Sequence, residues 1–399
     1  MYKVLAQLMW LMLGVLVAGL NVCSAHPGSF LGICLQDTVL GKKTFIADSN
    51  PGALKANSKK NNEAGYDISK SLPVDFVKDA SVDYTPFLQQ AVSLHDNIIF
   101  PAFPILINDD GIKVGSNKIL NFLPGSKLVL KPSNKKGYNI IKLEKSSNVT
   151  INNPVIVGDR QTHIGTAGEF GMGIGIYSSS NITINNPQIS YCWGDGIYLA
   201  GNREDQPVNN TIRILNAKLL HNRRNGISII SVNQLLMASP YVAFSDGIAP
   251  MCGIDFEPNS PADELKNITV LNAVTESNMG PGISIGLRNL YGRNNAEVDI
   301  QLVSPKDNGS AIGLKATAIF TRRAGSEIIN GNINVSNPVW SKNSNTPMSI
   351  NLLDENIKLT IKKPTILDPA GRPLNNKAAL DNLTYKTHLN RNANCSITF

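Results

Sequence analysis

The sequence contains few aromatic residues and few cysteines, and its surplus of positive over negative charge is small. Aromatic residues make up 6% of the 399 residues, there are 5 cysteines, and the formal net charge is +7. Because this surplus is small and dispersed, and because no nucleic-acid-binding motif is present, the sequence argues against a nucleic-acid partner. A mild basic surplus suits an acidic partner instead.

Long apolar runs are also rare, and the one that approaches a membrane span stands at the N-terminus. The stretch VLAQLMWLMLGVLVAGL follows Lys3, and the small residues CSA, which end at Ala25, come shortly after it. This pattern is typical of a secretory signal peptide, so residues 1–25 are predicted to be cleaved after Ala25 from a secreted or periplasmic protein. An uncleaved membrane anchor is the alternative. No later stretch is apolar enough to span a membrane, and we expect most remaining cysteines to be buried thiols.

What the sequence does contain is a repeat of asparagine-rich strands. Examples are NVTINNPVIVGD from Asn148, NITINNPQISYC from Asn181 and NITVLNAVTESN from Asn267. A glycine-led strand recurs beside them, and its five copies are GIGIY from Gly173, GIYLA from Gly196, GISII from Gly226, GIDFE from Gly253 and GISIG from Gly282. The glycines stand 23 to 30 residues apart, which is the period of repeat architectures.

Three short strands fit each repeat, so the predicted fold is all-β: a single-stranded right-handed parallel β-helix. A leucine-rich repeat is excluded because its leucine spacing is absent. The segment DYTPFLQQAVSL (83–94) predicts an N-terminal capping helix, with Thr85 as a cap-like residue and Pro86 in the first turn. Residues 26–72 are predicted to be an irregular arm, 73–370 the β-helix and 371–399 a C-terminal tail.

Several segments resemble a known group of β-helix proteins. VDYTPFLQQAV, IIFP and NKILNFLPGSKLVL are similar to the N-terminal part of the pectate-lyase-like superfamily, which includes rhamnogalacturonase-type and epimerase-like secreted bacterial proteins. WGDGIYL, NRRNGISI and CGIDFEPN look like rungs of those proteins, and the resemblance covers roughly residues 72–365. It implies an enzyme active on polysaccharides, although the superfamily also holds binding proteins and phage-like spikes. WGDGIYL carries one aspartate where polygalacturonases tend to have two, which puts simple pectin hydrolysis in doubt.

The strand alternation predicts which side chains could form a site. If Ile174, Ile197, Ile227, Ile254 and Ile283 point inward, then Gly175, Tyr198, Ser228, Asp255 and Ser284 form one outward column. Rungs about 4.8 Å apart would gather the neighbouring polar groups into a patch of sugar-binding size. The candidate catalytic residues are Asp195, Asp255, Glu257 and Glu169. The candidate substrate-binding residues are Arg223, Arg224, Trp193 and Tyr198, with Asp159, Arg160 and His163 on the loop 158–173.

Such a set of residues suits an acidic polysaccharide as the partner, because tryptophan stacks on sugar rings and arginine forks onto carboxylates. Hydrolysis by paired carboxylates is slightly favoured. Elimination or C5 epimerisation is the first alternative, with Arg223, Arg224, Tyr198 or His163 in the key roles, and with calcium on the carboxylates as a candidate cofactor. A non-catalytic glycan-binding β-helix is the second alternative. Structural roles compete throughout, such as turn-forming aspartates or an arginine paired with Asp195. The sequence does not indicate an oligomeric state.

Overall fold

The computed structural model describes residues 65–201, 208–292, 296–318, 329–352, 356–368, 370–374 and 394–399. The predicted signal peptide, most of the predicted arm and most of the predicted tail lie outside these residues. Within them, no helix has the length and apolarity that a membrane crossing requires.

Three parallel sheets form the body, and from Asn97 to Leu367 the described strands visit them in the repeating order A, B, C. Sheet A contains β1 (Tyr66–Asp67), β2 (Asn97–Phe100), β5 (Lys118–Phe122), β8 (Ser147–Asn152), β11 (Ser180–Asn185), β14 (Asn209–Leu215), β17 (Val232–Ala238), β20 (Leu265–Leu271), β23 (Ala296–Val303), β26 (Ile329–Ser336), β29 (Ile357–Lys362) and β31 (Cys395–Thr398). Sheet B contains β3 (Pro104–Ile107), β6 (Lys127–Leu130), β9 (Val155–Val157), β12 (Gln188–Ser190), β15 (Lys218–Leu220), β18 (Tyr241–Ala243), β21 (Val274–Glu276), β24 (Lys306–Asn308), β27 (Val339–Ser341) and β30 (Thr365–Leu367). Sheet C contains β4 (Ile112–Val114), β7 (Gly137–Glu144), β10 (Phe170–Tyr177), β13 (Ile197–Ala200), β16 (Ile227–Ile229), β19 (Ile254–Phe256), β22 (Pro281–Gly286), β25 (Ile312–Ala318) and β28 (Thr346–Leu352). The predicted parallel β-helix is therefore confirmed.

The core is a stack of aliphatic columns, and the predicted inward positions of sheet C are all buried. Ile197 pairs with Ile227, and Ile227 pairs with Ile254, so that equivalent residues of successive turns lie on top of one another. The glycine that leads each of these strands is required by close approach of the backbone. A methyl group added at Gly253 would lie 2.6 Å from the carbonyl oxygen of Gly282, closer than packed atoms allow.

Asparagine marks the corners of the coil because the chain turns there through left-handed backbone conformations. Asn148, Asn181 and Asn267 have φ values of 58°, 52° and 53°, a region that asparagine tolerates better than most residues. The side chains also bond from turn to turn, as where Asn181 Nδ2 donates to Asn148 Oδ1 at 2.8 Å. The asparagine-rich repeat is thus a consequence of corner geometry.

The predicted capping helix is present as α1, Thr85–Leu94, and it buries Leu88, Ala91 and Val92 against the first turns. Thr85 is the first helical residue rather than the cap. Its backbone N–H is accepted by the Asp83 carboxylate at 3.0 Å, which satisfies one of the free donors of the first turn. Two short 3-10 helices are also present, at Ile68–Ser71 and Arg288–Leu290.

Strand pairing extends beyond the range assigned to the β-helix from sequence. Within the predicted arm, Tyr66 pairs with Ile98 of β2, so β1 belongs to sheet A. Within the predicted tail, Cys395 pairs with Leu359 of β29. Both strands are too short and polar to be recognised by alternation alone.

A test of the inward and outward assignment uses two neighbouring residues of β14. Ile212 is 1% exposed, whereas Arg213 is exposed on the opposite face of the strand. We expect Ile212→Ala to lower the free energy of unfolding by about 2–5 kcal/mol through the cavity it creates. Arg213→Ala should change it by less than about 0.5 kcal/mol. Urea unfolding followed by circular dichroism measures both, and equal midpoints for the two variants would contradict the register.

Candidate functional site

The outward column of sheet C aligns as predicted. Gly175 pairs with Tyr198, Tyr198 with Ser228, Ser228 with Asp255 and Asp255 with Ser284. The expectation that this column faces solvent is wrong, because Ser228 is fully buried and Asp255 is 3% exposed. The polar side chains bond to one another and to groups from the preceding loops, and these contacts bury Ser228 and Asp255.

Arg224 is the centre of this polar cluster. Its Nη1 donates to Asp195 Oδ2 at 3.0 Å and to Ser228 Oγ at 3.2 Å, and its Nη2 donates to Glu257 Oε2 at 2.7 Å. Its Nε lies 3.7 Å from Glu169 Oε2. Arg224 therefore contacts three of the four predicted catalytic carboxylates, and its own charge is balanced within the protein.

Asp195 occupies the deepest position in the cluster and is fully buried. Burial raises the pKa of its carboxyl group, and the charge of Arg224 and the hydroxyl of Ser228 oppose that effect. Its two oxygens accept from Arg224, from Ser228 Oγ at 2.7 Å and from the backbone N–H of Asn225 at 2.9 Å. A carboxylate so fully bonded holds Arg224 in place more readily than it exchanges protons with a ligand.

Asp255 and Glu257 differ in their surroundings although they are two residues apart at β19. Burial, followed by the charge of Glu257, raises the pKa of Asp255 to about 7. The Glu257 side chain is 39% exposed and bonds to Arg224. Asn225 Nδ2 donates to Asp255 Oδ2 at 3.2 Å and links Asp255 to the rest of the cluster. The pair thus combines a buried carboxyl group, whose pKa is raised to about 7, with an accessible partner.

Tyr198 lies one column position from Ser228 and is 8% exposed. Burial, and next the charge of Asp195, raises the pKa of its phenol to about 12. Asn259 Nδ2 donates to its hydroxyl at 3.3 Å. The ring also packs against Tyr177, with the ring centroids 5.9 Å apart. Tyr198 is therefore placed as a neutral hydrogen-bonding group at the edge of the cluster.

A second group of predicted residues forms a stack beside the first. The Trp193 ring has His163 on one face, with centroids 3.9 Å apart, and the guanidinium carbon of Arg223 3.7 Å from its centroid. Arg223 Nη1 also donates to the carbonyl oxygens of Gly168 and Trp193, at 2.8 and 3.3 Å. Arg223 and Arg224 thus point to different surroundings although they are adjacent in sequence.

Asp159 is a structural anchor for the loop that carries Glu169. It is 1% exposed, and its oxygens accept from the backbone N–H of Ser133 at 2.9 Å, from His163 Nδ1 at 2.7 Å and from the Tyr138 hydroxyl. Asp159 and His163 fix the start of the loop, so that Glu169 reaches Arg224 from its far end.

Arg160 lies away from the carboxylate cluster. Its Nη1 donates to the His221 carbonyl oxygen at 2.7 Å and to Asp246 Oδ1 at 2.6 Å. The rings of Tyr191, His221 and Phe244 stack in sequence beside it, with centroids 5.1 and 4.8 Å apart. Arg160 is thereby held at the corner between sheets B and C.

Three residues of the cluster were not named as candidates from sequence. Ser228 and Asn225 bridge Asp195, Arg224 and Asp255, and Ser284 hydrogen-bonds to Asp255. Ser228 and Ser284 share the outward column with Asp255. Asn225 stands directly before the leading glycine of its strand, as Asp195 does in the preceding turn. Column position alone was the signal that could have identified them.

Three of the predicted carboxylates contact an arginine in this structure. Among the described residues there is no group of three or more histidine, cysteine, aspartate or glutamate side chains that could hold a metal ion. The place where Asp195, Glu169 and Glu257 converge is filled by the guanidinium group of Arg224. Cys192 and Cys252 are buried free thiols, as expected from sequence.

Comparison with known proteins gives distant relatives only. No protein-family model matches the chain. The uncharacterized protein YorA, derived from the SPbeta prophage of Bacillus subtilis (strain 168), is 32% identical over 162 residues, which are 37% of this chain and 28% of the relative. YclG of the same organism is 27% identical over 179 residues, 41% of this chain and 31% of the relative. The chain thus spans less than a third of the length of the curated relatives it matches.

Solved structures share the fold at low sequence identity. The tailspike protein of E. coli bacteriophage HK620, solved with a pentasaccharide, has a TM-score of 0.58 at 13% identity, over 77% of this chain and 58% of that one. The surface adhesin PfbA of Streptococcus pneumoniae has a TM-score of 0.56 at 11% identity, over 76% and 79%. The A-module of the Azotobacter vinelandii mannuronan C-5 epimerase AlgE6 has a TM-score of 0.51 at 12% identity, over 76% and 87%. This similarity supports the β-helix fold.

The buried position of Arg224 predicts a structural role that can be measured. Arg224→Gln leaves Asp195 buried without its positive partner, so we expect the free energy of unfolding to fall by about 3–5 kcal/mol. Arg213→Gln, on an exposed face, is the matched control and should stay within about 0.5 kcal/mol of the wild type. Chemical denaturation at neutral pH compares the two, and an unchanged midpoint for Arg224→Gln would refute the role.

The raised pKa of Asp255 predicts a pH-dependent contribution to stability. In the unfolded chain this carboxyl group ionises near its ordinary value of 3.8, whereas in the folded protein it does so near 7. Folding is therefore favoured most below about pH 4, and this contribution is lost as the pH rises to about 7.

Asp255→Asn cannot ionise, so its stability relative to the wild type should rise between about pH 4.5 and 7.5. Urea titrations at several pH values in this window measure the difference. Glu297→Gln, which removes an exposed carboxylate on β23, is the control. Parallel curves for Asp255→Asn and the wild type would mean that Asp255 ionises normally.

Proposed function

We propose that this protein is an exported enzyme that hydrolyses glycosidic bonds of an acidic polysaccharide. The observation that carries the proposal is the pairing of Asp255 with Glu257. One carboxyl group is buried and has its pKa raised to about 7, and the other is 39% exposed, on the same stretch of chain. Glycoside hydrolysis requires two carboxyl groups, one of which has a raised pKa and donates a proton to the leaving sugar.

Asp255 acts as the general acid in this proposal. Near neutral pH its carboxyl group retains a proton that it can donate to the oxygen of the leaving sugar. Glu257 is accessible and acts on the other side of the bond, either on water or on the sugar carbon itself. Arg224 holds Glu257 at 2.7 Å and thereby positions it.

Hydrolysis is better supported than elimination or epimerisation. Those reactions need a base at the sugar C5 and a cation that neutralises the uronate carboxylate. The pKa of Tyr198 is raised to about 12, so its phenol is a poor base near neutral pH. His163 is buried and bonded to Asp159, and Arg224 is already bound to carboxylates of the protein.

The structural relatives support a role with carbohydrates in general terms. Their names include a mannuronan epimerase and a tailspike in complex with a pentasaccharide, while PfbA is a surface adhesin. Export is proposed from the predicted signal peptide at residues 1–25, and sequencing the N-terminus of the mature protein tests whether cleavage follows Ala25.

The hydrolase proposal is tested on a panel of uronate polymers with two readouts. New reducing ends report any cleavage, and absorbance of unsaturated sugars reports elimination. Asp255→Asn should lower turnover by about 10²-fold or more, given the usual contribution of an acid–base group. Wild-type turnover should fall as the pH rises past about 7, because Asp255 then loses its proton.

Arg213→Gln serves as the control and should retain wild-type turnover. Formation of unsaturated products would show that the enzyme cleaves by elimination and not by hydrolysis. Near-normal turnover of a folded Asp255→Asn variant would remove Asp255 from the mechanism. Binding of a polymer without any cleavage would point to a glycan-binding protein instead.

A further inference from the structure

Two arginine side chains meet over a glycine at the corner between sheets B and C. A methyl group added at Gly247 would lie 2.9 Å from Cγ of Arg223 and 3.4 Å from Nη2 of Arg160. Gly247 is exposed and has a φ of 139°, a conformation that residues with a side chain rarely adopt. The position therefore stays without a side chain, and both arginines border the same exposed backbone.

We propose that Arg160 and Arg223, called here the arginine pair, bind an anionic substituent of the glycan, a carboxylate or a sulfate ester. This inference rests on the proposed function and specifies how the substrate's charge is recognised. It assigns that recognition to the arginine pair rather than to Arg224, whose charge is balanced by Asp195, Glu257 and Glu169.

The hydrogen bonds of the arginine pair leave matching donors available. Arg223 uses only Nη1, towards the Gly168 and Trp193 carbonyl oxygens, and Arg160 also uses only Nη1, towards His221 and Asp246. Among the described residues, Nε and Nη2 of both side chains have no hydrogen-bond acceptor. Nε and Nη2 form the edge of a guanidinium group that binds two oxygens of one anion.

The charges around the arginine pair also favour an anion. Within the described part of the chain, Arg223 forms no salt bridge, and Arg160 is paired with Asp246, which is 44% exposed. Burial, followed by the charge of Arg160, lowers the pKa of the Arg223 guanidinium, and the charge of Glu169 opposes that effect. Two like charges held together in this way repel each other, and a bound anion would relieve that repulsion.

Both side chains of the arginine pair are held in place by contacts with the protein. The guanidinium carbon of Arg223 lies 3.7 Å from the Trp193 ring centroid, and Arg160 is fixed by the carbonyl oxygen of the stacked His221. In the sequence, Arg223 directly precedes Arg224, which bonds to Asp195 and Glu257 of the carboxylate cluster. A sugar whose acidic group lies on the arginine pair would thus place neighbouring sugar units towards Asp255 and Glu257.

Binding is measured in an Asp255→Asn background, so that no cleavage is needed. The probes are oligosaccharides of polygalacturonate and alginate, their carboxyl-reduced neutral forms, and carrageenan oligosaccharides with their desulfated forms. Calorimetry gives the affinity of each for the parent and for Arg160→Gln, Arg223→Gln and the double variant. Arg213→Gln is the matched control.

We expect each single substitution to weaken binding of an acidic probe by about 10- to 100-fold, as for lost hydrogen bonds to a charged group. Affinity for the neutral form should change less than about twofold, and the salt dependence of binding should decrease. Loss only with uronates identifies a carboxylate as the bound group, and loss only with carrageenan identifies a sulfate. Arg223→Lys keeps the charge without the fork, so it should retain the fold and bind with intermediate affinity.

Equal loss for acidic and neutral probes, unchanged affinity in the double variant, or no binding of any acidic probe would overturn the inference. The outcome is separable from that of the hydrolase proposal. Binding that depends on the arginine pair, without turnover by the wild-type protein, would keep the anion site and reject hydrolysis. Turnover that is unchanged when the arginine pair is substituted would keep the hydrolase proposal and reject the anion site.

Discussion

Every contact in the candidate site depends on the register of hydrogen bonding between successive turns. Ser228 lies between Tyr198 and Asp255 because β16 pairs in register with β13 on one side and β19 on the other. A shift of one residue would turn Ile227 outward and Ser228 into the aliphatic core. The register is fixed by the buried isoleucine columns and by glycines that allow the backbone to approach closely, so the packing of the core also determines the chemistry of the face.

The arrangement of charge on that face follows from how strongly each group is buried. Asp195 is fully buried and needs Arg224, and Arg224 in turn draws in Glu257 and Glu169. Asp255 is also buried but, within the described residues, has no cation bonded to it, so burial and the charge of Glu257 raise the pKa of its carboxyl group. Two adjacent arginines consequently have different roles: Arg224 stabilises the cluster, whereas Arg223 retains donors beyond it.

Periodic features could be predicted from the sequence, and contacts made by irregular loops could not. The spacing of Gly173, Gly196 and Gly226 and the alternation after each glycine were sufficient for the fold and for the column of Asp255. The path of loop 158–173 has no repeat to constrain it. The contact of Arg160 with His221, 61 residues away, therefore left no pattern in the sequence. The sequence also did not predict that the outward column is buried. That burial depends on side chains from outside the strands, such as Arg224 and Asn225, which bond to Ser228 and Asp255.

The strands that carry the site occupy the middle of sheet C. In the described residues, β16 has four strands on either side of it, and β13 and β19 are its immediate neighbours. Because each turn of a solenoid is stabilised by adjacent turns, loss of structure begins at an end and spreads inward. The polar cluster is thus insulated from fraying by turns that take no part in it. Those outer turns can vary in sequence, or be extended by further turns, while the geometry around Asp255 is preserved.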